Sequence, residues 1–486
     1  MKPTKLLIGL LVFALQLPAS ADTAKRPTGI KLRLANPKKV TPSGHVLTTP
    51  KSTIVVDPGA DPKVGIRKLS TDAKNISAIV LTHEHLDHLG ALPTLVRHGF
   101  KGKIYGTSAA LDAAKLMLWD GAKIQRSNAK RQRARLRKEG KPCDHIHAAY
   151  NKPDVEQTIS QFRPVEPGKI TAISPDTTVR FELTGHVLGA ASALLDVGTG
   201  AQERKILFSG DLGRANDELH APPKTFGKVD YVVQEYTYGG RPAQGPKPRP
   251  MAQLNNAHKL AKKKGGRVVI AAFALGRTQT LLFMERQLRL QKPDNDFPVY
   301  LDTPLGEKLT QLYKTYPNYL SRRIRRFTAK HGDAFSFPQL HVVASGEESK
   351  GLATFLEQGV VIAGGGMATG GRVVGHLKQS LPNPNDVVVL AGYAAPGTLA
   401  QQLQSGLKEV KIYGKTVPVN ATVMSINGLS GHRSHQELVQ WAKANGEGAK
   451  IIPNHGNGRN RQAFVKALEA EGLEVLLPRG DVMELN

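Results

Sequence analysis

The feature that most constrains this chain is His83-Glu84-His85-Leu86-Asp87-His88. It sits between an apolar run, Ser77–Leu81, that reads as a buried strand and a stretch, Asp87–His98, that reads as a helix stopped by Gly99. A lone His beside an apolar strand is most often a hydrogen-bonded core residue. Here three His and one Asp crowd a single loop, where packing gives no reason to place them. Imidazole and carboxylate suit zinc at about 2.0–2.2 Å, and ligands this close together can reach two adjacent cations. Cys143 is the only cysteine, so a disulfide framework and a Cys-based zinc finger are both excluded. Any metal must sit on His and carboxylate ligands.

Further ligand-type residues follow, each at the end of a predicted strand. His186 lies in Gly185-His186-Val187-Leu188-Gly189, Asp211 in Ser209-Gly210-Asp211-Leu212-Gly213, and His455 in Pro453-Asn454-His455-Gly456. Taken singly, a His or Asp flanked by Gly is a turn residue. Their order along the chain is what makes the set specific.

Short β-type runs alternate with helical stretches almost to the end, which predicts layered α/β architecture. Thr53–Asp57, Lys205–Ser209 and Val229–Gln234 read as strands, and the turn-rich stretch from Gly239 to Pro250 marks a boundary. From Met251 the pattern becomes regular βα units, with strands Arg267–Ala271, Val299–Asp302, Val360–Ala363 and Val387–Ala391, which predicts a second, parallel-sheet domain. Strand Ala421–Ile426, helix Ser434–Ala444, strand Lys450–Ile452 and helix Arg459–Glu471 close the chain. At 486 residues and 40% hydrophobic, the chain has room for about two or three domains and a sizeable core.

Charge narrows the partners. There are 67 Lys+Arg against 40 Asp+Glu, a formal +27. Between Lys123 and Lys141, nine cations face only Glu139, which reads either as the footprint of a polyanion or as a solvated helix face. Arg322, Arg323, Arg325 and Arg326 repeat the pattern with the same two readings.

The N-terminus reads as a secretion signal. Lys2 and Lys5 precede an apolar run from Leu6 to Leu17, followed by Pro18 and Ala19-Ser20-Ala21. That run is well short of the ~20 residues that cross a bilayer. The expectation is cleavage after Ala21, no later membrane segment, and a mature protein that is periplasmic or extracellular.

With these residues in view, the chain resembles the β-CASP family of the metallo-β-lactamase superfamily. That superfamily opens with His-x-His-x-Asp-His, followed by a distant His, an Asp and a final His. Glu235-Tyr236-Thr237-Tyr238-Gly239 resembles the first β-CASP motif, Leu429-Ser430-Gly431-His432 the second and His455 the third. Four further segments are similar to β-CASP ones: Ala272–Arg277, Asp302–Leu305, Gly365–Arg372 and Gly392–Leu399. Two positions depart from the pattern: Ser434 stands where the family usually has Asp, and Ala368 where it usually has Cys.

The resemblance implies an αββα metallo-β-lactamase sandwich with an inserted parallel-sheet β-CASP domain. On this reading the signal covers residues 1–21, the first part of the core 22–235, the insertion 236–419, and the completion of the core 420–486. Carried over residue by residue, His83, His85 and His186 hold one zinc, Asp87, His88 and His455 the other, and Asp211 bridges them; such ligands also accept manganese. His432 is the implied proton donor, with Glu235 orienting either a metal-bound His or His432 itself. Arg277, Thr278, Arg372 and Ser430 are candidate substrate contacts.

The implied chemistry is hydrolysis of nucleic-acid phosphodiesters, and His at the third motif implies RNA, preferably single-stranded. The alternatives are hydrolysis of DNA or of a small ester or lactam, and a non-catalytic nucleic-acid binder. A homodimer is left open.

Overall fold

The computed structural model describes residues 29–34, 43–60, 71–241, 248–292, 297–478, 480 and 482–485. The expected signal and its cleavage point lie outside these residues. The chain divides into two compact units: Met1–Asp217 with Ala221–Ala243 and His432–Asn486, and Glu218–His220 with Gln244–Gly431.

The first unit contains two seven-stranded sheets among its described residues. One runs in the order Val482–Leu485, Ile30–Leu34, His45–Thr48, Thr53–Val56, Ala78–Val80, Lys103–Gly106, Phe162–Pro164. The other runs Glu474–Val475, Lys450–Gly456, Tyr231–Tyr236, Arg204–Phe208, Ala191–Val197, Thr177–Leu183, Thr171–Ser174. Leu32, Ile54 and Val80 of the first sheet pack with Phe181, Ile206 and Ile452 of the second in one buried cluster. The outer face of the first sheet is covered by helices through Leu92, Leu111, Leu118 and Val155. That of the second is covered through Leu438, Trp441, Phe464 and Leu468. Both sheets therefore bury both faces, which is the αββα sandwich.

Parallel pairing decides which strand ends meet. Thr53–Val56 and Ala78–Val80 run parallel with Val56 opposite Val80, so Asp57 and the loop from Thr82 leave the first sheet at one edge. In the second sheet, Arg204–Phe208, Tyr231–Tyr236 and Lys450–Gly456 are likewise parallel, which brings the ends bearing Asp211, Glu235 and His455 together.

The expected single helix Asp87–His98 is instead two, Leu86–Leu89 and Leu92–Arg97. Pro93 has no N–H to give the Leu89 carbonyl, and its ring would collide with that carbonyl in a continuous helix. Near the start of a new helix the missing donor costs nothing. The first helix is thereby limited to the single turn that carries Asp87 and His88.

The second unit has a six-stranded all-parallel sheet, in the order Leu340–Val342, Val299–Asp302, Gly359–Gly364, Arg267–Ala272, Val387–Leu390, Thr422–Ser425. Its central strands are apolar except for Arg267 and Asp302 at their ends, as both-face burial requires. Val269, Val361 and Val388 pack under Val374, Leu377 and Leu403. A two-stranded hairpin, Glu409–Ile412 with Lys415–Pro418, adds Val410 and Val417 to that cluster.

Candidate metal centre

The seven residues expected as ligands converge in the first unit. His83, His85, His186 and Asp211 offer ligand atoms all within 4.8 Å of one another, and so do Asp87, His88 and His455. His85 Nδ1 lies 3.1 Å from His83 Nε2 and 3.2 Å from His186 Nε2. His88 Nε2 is 3.3 Å from His455 Nε2, which is 3.5 Å from Asp87 Oδ2.

Asp211 stands between the groups. Its Oδ2 is 3.5 Å from both His83 Nε2 and His186 Nε2, while its Oδ1 is 3.4 Å from His88 Nε2 and 3.3 Å from His455 Nδ1. Each carboxylate oxygen thus serves one donor group. Imidazoles and carboxylates in this arrangement fit two adjacent divalent cations. Glu84 joins neither group; burial pushes its carboxyl well above the usual range.

Local backbone geometry aims these side chains. His455 occupies a β-bulge: Glu235 pairs with Asn454 and Tyr236 with Gly456, which leaves His455 as the extra residue, at φ 52°. A bulge of this kind re-aims a side chain next to a site. Asp57, also at φ 52°, closes the neighbouring strand end. Non-glycine residues in this region store strain that the surrounding structure must hold.

Asp57 was read only as the end of a strand, and the structure gives it a role in the site. Its Oδ2 lies 2.9 Å from His88 Nδ1 and accepts from Thr82 Oγ1 at 2.6 Å, while Oδ1 accepts from Thr82 N at 2.7 Å. A carboxylate behind a ligand imidazole sets its tautomer and ring orientation. The only sequence signal was an Asp ending an apolar run before Pro58-Gly59, and no spacing linked it to His88.

The electrostatics divide along the same line. Burial first, then neighbouring imidazoles, hold His83 and His186 below the ordinary value and bring His85 to about 3. Burial also opposes the charged forms of His88 and His455, but the carboxylates of Asp211, Asp57 and Asp87 outweigh it. His88 rises, and His455 rises to about 9. Burial would raise Asp211 and Asp87 too, yet the surrounding imidazoles hold both below the usual carboxylate range.

His432 lies beside the first group, its ring centroid 4.5 Å from that of His186 and its Nε2 3.9 Å from Asp211 Oδ2. Its Nδ1 is 3.2 Å from Glu235 Oε1. Glu235 is itself fixed by the Leu212 and Thr237 amides, at 2.8 and 3.0 Å. Against burial, Glu235 and Asp211 raise the His432 pKa. Ser434 caps the helix His435–Gly446 in a reciprocal capping box with Glu437. A neutral hydroxyl thus does the capping there, and the carboxylate that orients His432 comes from Glu235.

The four candidate substrate contacts belong to the second unit. Thr278 is fully buried, and both its hydroxyl and its amide donate to the Phe273 carbonyl. It shapes the turn into the helix Arg277–Gln291. Arg372 pairs with the buried Asp302 at 2.6 Å, beside His376 and Ser349 on the same carboxylate. Arg277 and Ser430 are half-buried.

Comparison with known proteins agrees with this architecture. The metallo-beta-lactamase superfamily model matches residues 42–272, the Beta-Casp domain residues 278–403, and the Zn-dependent metallo-hydrolase RNA specificity domain residues 416–478. Ribonuclease TTHA0252 of Thermus thermophilus is 30% identical over 446 residues, 91% of this chain and 96% of that protein. Transcription termination factor FttA of Pyrococcus abyssi is 33% identical over 392 residues, 78% of this chain and 57% of that protein, so the chain spans little more than half of that factor's length. The crystal structure of a protein of unknown function from Enterococcus faecalis V583 superposes with a TM-score of 0.53 at 11% identity, covering 94% of this chain and 100% of that one, a likeness of fold.

Proposed function

Because the chain belongs to the β-CASP family of the metallo-β-lactamase superfamily, we propose that it is a metal-dependent ribonuclease with two zinc ions, which cuts phosphodiester bonds of single-stranded RNA. The observation that carries this reading is Asp211 facing one donor group with each oxygen, with the His432–Glu235 pair alongside.

Divalent cations held there supply Lewis-acid stabilisation of a phosphoryl group and lower the pKa of water. His83, His85 and His186 would present neutral nitrogens to one cation; Asp87 would give a carboxylate oxygen to the other, and His88 and His455 their nitrogens once deprotonated. Asp211 holds the two positions at a fixed separation. Asp57 keeps His88 turned so that Nε2 faces the site. His432, its Nδ1 against Glu235, is placed to carry a proton on Nε2 toward the leaving oxygen.

RNA is favoured over DNA by the match to the RNA specificity domain over residues 416–478 and by the ribonuclease relative. Export rests on the leader sequence Met1–Ala21 and is tested by sequencing the N-terminus of the protein recovered from the periplasm or medium.

The function itself is tested with end-labelled single-stranded RNA and matched DNA, cut by the chain and by the double variant Asp87→Ala, His88→Ala. RNA cleavage lost in the variant is the expected result. A protein that holds two metals and cuts neither polymer overturns the reading, and small esters and lactams become the substrates to try. A protein that cuts only DNA overturns the choice of polymer.

A further inference from the structure

The helix Ser108–Lys138 has two halves with different surroundings. Leu111, Ala114, Leu118 and Ala122 are buried on one face of the first half. That face continues at helical spacing through Gln125, Ala129, Gln132 and Leu136; Ala129 is buried, and Gln125 accepts from the Ala149 amide at 2.9 Å. From Lys123 on, the rest of the helix is largely exposed.

Lys123, Arg126, Lys130, Arg133 and Arg137 follow a 3-4-3-4 spacing, which lines them up on one side of the helix, with Arg131, Arg135 and Lys138 in the next row. Glu139 pairs with Arg135 and Lys141. Among the described residues, none of the five cations in the first row is paired with a carboxylate. Like charges at this spacing destabilise a helix by a few tenths of a kcal/mol per pair. A helix face that served only solubility would interleave signs.

We propose that this stripe is an RNA-gripping surface separate from the metal centre, holding the phosphate backbone of a substrate at a distance from the bond that is cut. The proposal rests on the ribonuclease reading. Arg supplies forked donors for phosphate oxygens. The outward rows offer little beyond Ile124 to an apolar partner, whereas an interfacial membrane helix needs a broad apolar face.

The helix also ties the stripe to the site. Thr107, its N-cap, donates to the Gly189 carbonyl at 2.6 Å, three residues after His186. At about 1.5 Å per residue, the stripe begins ~24 Å and ends ~45 Å along the axis from that end. At roughly 3.4 Å per stacked nucleotide, this corresponds to about 7–13 nucleotides.

The test compares the full metal-loaded chain with a variant carrying Arg126→Gln, Lys130→Gln, Arg133→Gln and Arg137→Gln, substitutions that keep helix propensity and lie off the inner face. Cleavage of a 6-nucleotide and a 30-nucleotide RNA is measured across salt, with circular dichroism and metal content checking the fold. The expected result is a kcat/KM about tenfold lower or worse for the long RNA only, and a log–log salt slope shallower by about 3. An equal effect on both lengths, or none on the long RNA, overturns the stripe. If the parent cuts neither RNA, the ribonuclease reading fails, and anisotropy with the 30-nucleotide RNA still decides: binding weakened in the variant supports the stripe, and unchanged binding overturns it. Loss of binding to phosphatidylserine vesicles with RNA binding intact also overturns it, in favour of a membrane.

Discussion

Asp57 and His88 are joined through the imidazole nitrogen that faces away from the donor groups: Asp57 Oδ2 lies 2.9 Å from His88 Nδ1, while His88 Nε2 faces His455 and Asp211. Both residues are buried, so no water competes for this contact. Asp57→Asn keeps the shape but replaces the acceptor that fixes the tautomer. Metal affinity of the Asp87–His88–His455 group is expected to fall about 10–100-fold, with little change in the other group, as read by competition with a chelating dye.

Asp211 couples the two groups. Asp211→Asn leaves a buried oxygen on one side and an amide on the other, so both metals should bind more weakly and their binding should become independent. His455→Ala removes a donor from one group alone. Elemental analysis at limiting metal is expected to show loss of one metal in His455→Ala and depletion of both in Asp211→Asn.

His432 is assigned to proton delivery and not to metal binding. His432→Ala is expected to lower kcat by about 10²–10⁴ while metal content stays near that of the parent. Glu235→Gln weakens the support on His432 Nδ1 and should shift the alkaline limb of the pH profile to lower pH. An unmoved limb would remove Glu235 from this role.

Protonation separates the groups further. In the metal-free chain His455, at about 9, holds a proton that metal must displace, so affinity of its group rises with pH up to about 9. His83, His85 and His186 are already neutral near pH 7, so their group loads there with little pH dependence. Stability of the metal-free chain carries both signs. His45, lowered by burial to about 4, and His85, at about 3, stay neutral where the unfolded chain takes up protons, so stability falls as pH drops from 6.5 towards 3–4. The contribution from His455 is fully present below 6.5 and lost as pH rises through about 9. Thermal melts across pH check both limbs.

In the second unit, Arg372→Ala removes one of three partners of the buried Asp302 carboxylate and leaves His376 and Ser349 on it. The expected cost is about 1.5–3 kcal/mol of stability, seen as a lower melting temperature even without RNA. A variant that melts like the parent but has a raised KM would make Arg372 a substrate contact after all.

Much of this was legible in the chain itself. His83, His85, Asp87 and His88 lie within one strand–loop–turn, where six residues and local backbone geometry suffice to bring them together. Continuous apolar runs announced the parallel sheet, because both-face burial leaves that pattern in the sequence. Pro93 was visible too, although its consequence, a helix cut to one turn, depends on a clash that periodicity does not register. The place of Asp211 between two donor groups was implied only by the family resemblance, and two decisive features were not legible at all. The bulge that turns His455 inward depends on Glu235 and Tyr236, more than 200 positions away, and the hold of Asp57 on His88 spans 31. Nothing in the local sequence encodes such contacts. They arise when parallel pairing sets strand ends side by side and burial removes the water that would otherwise satisfy their polar groups.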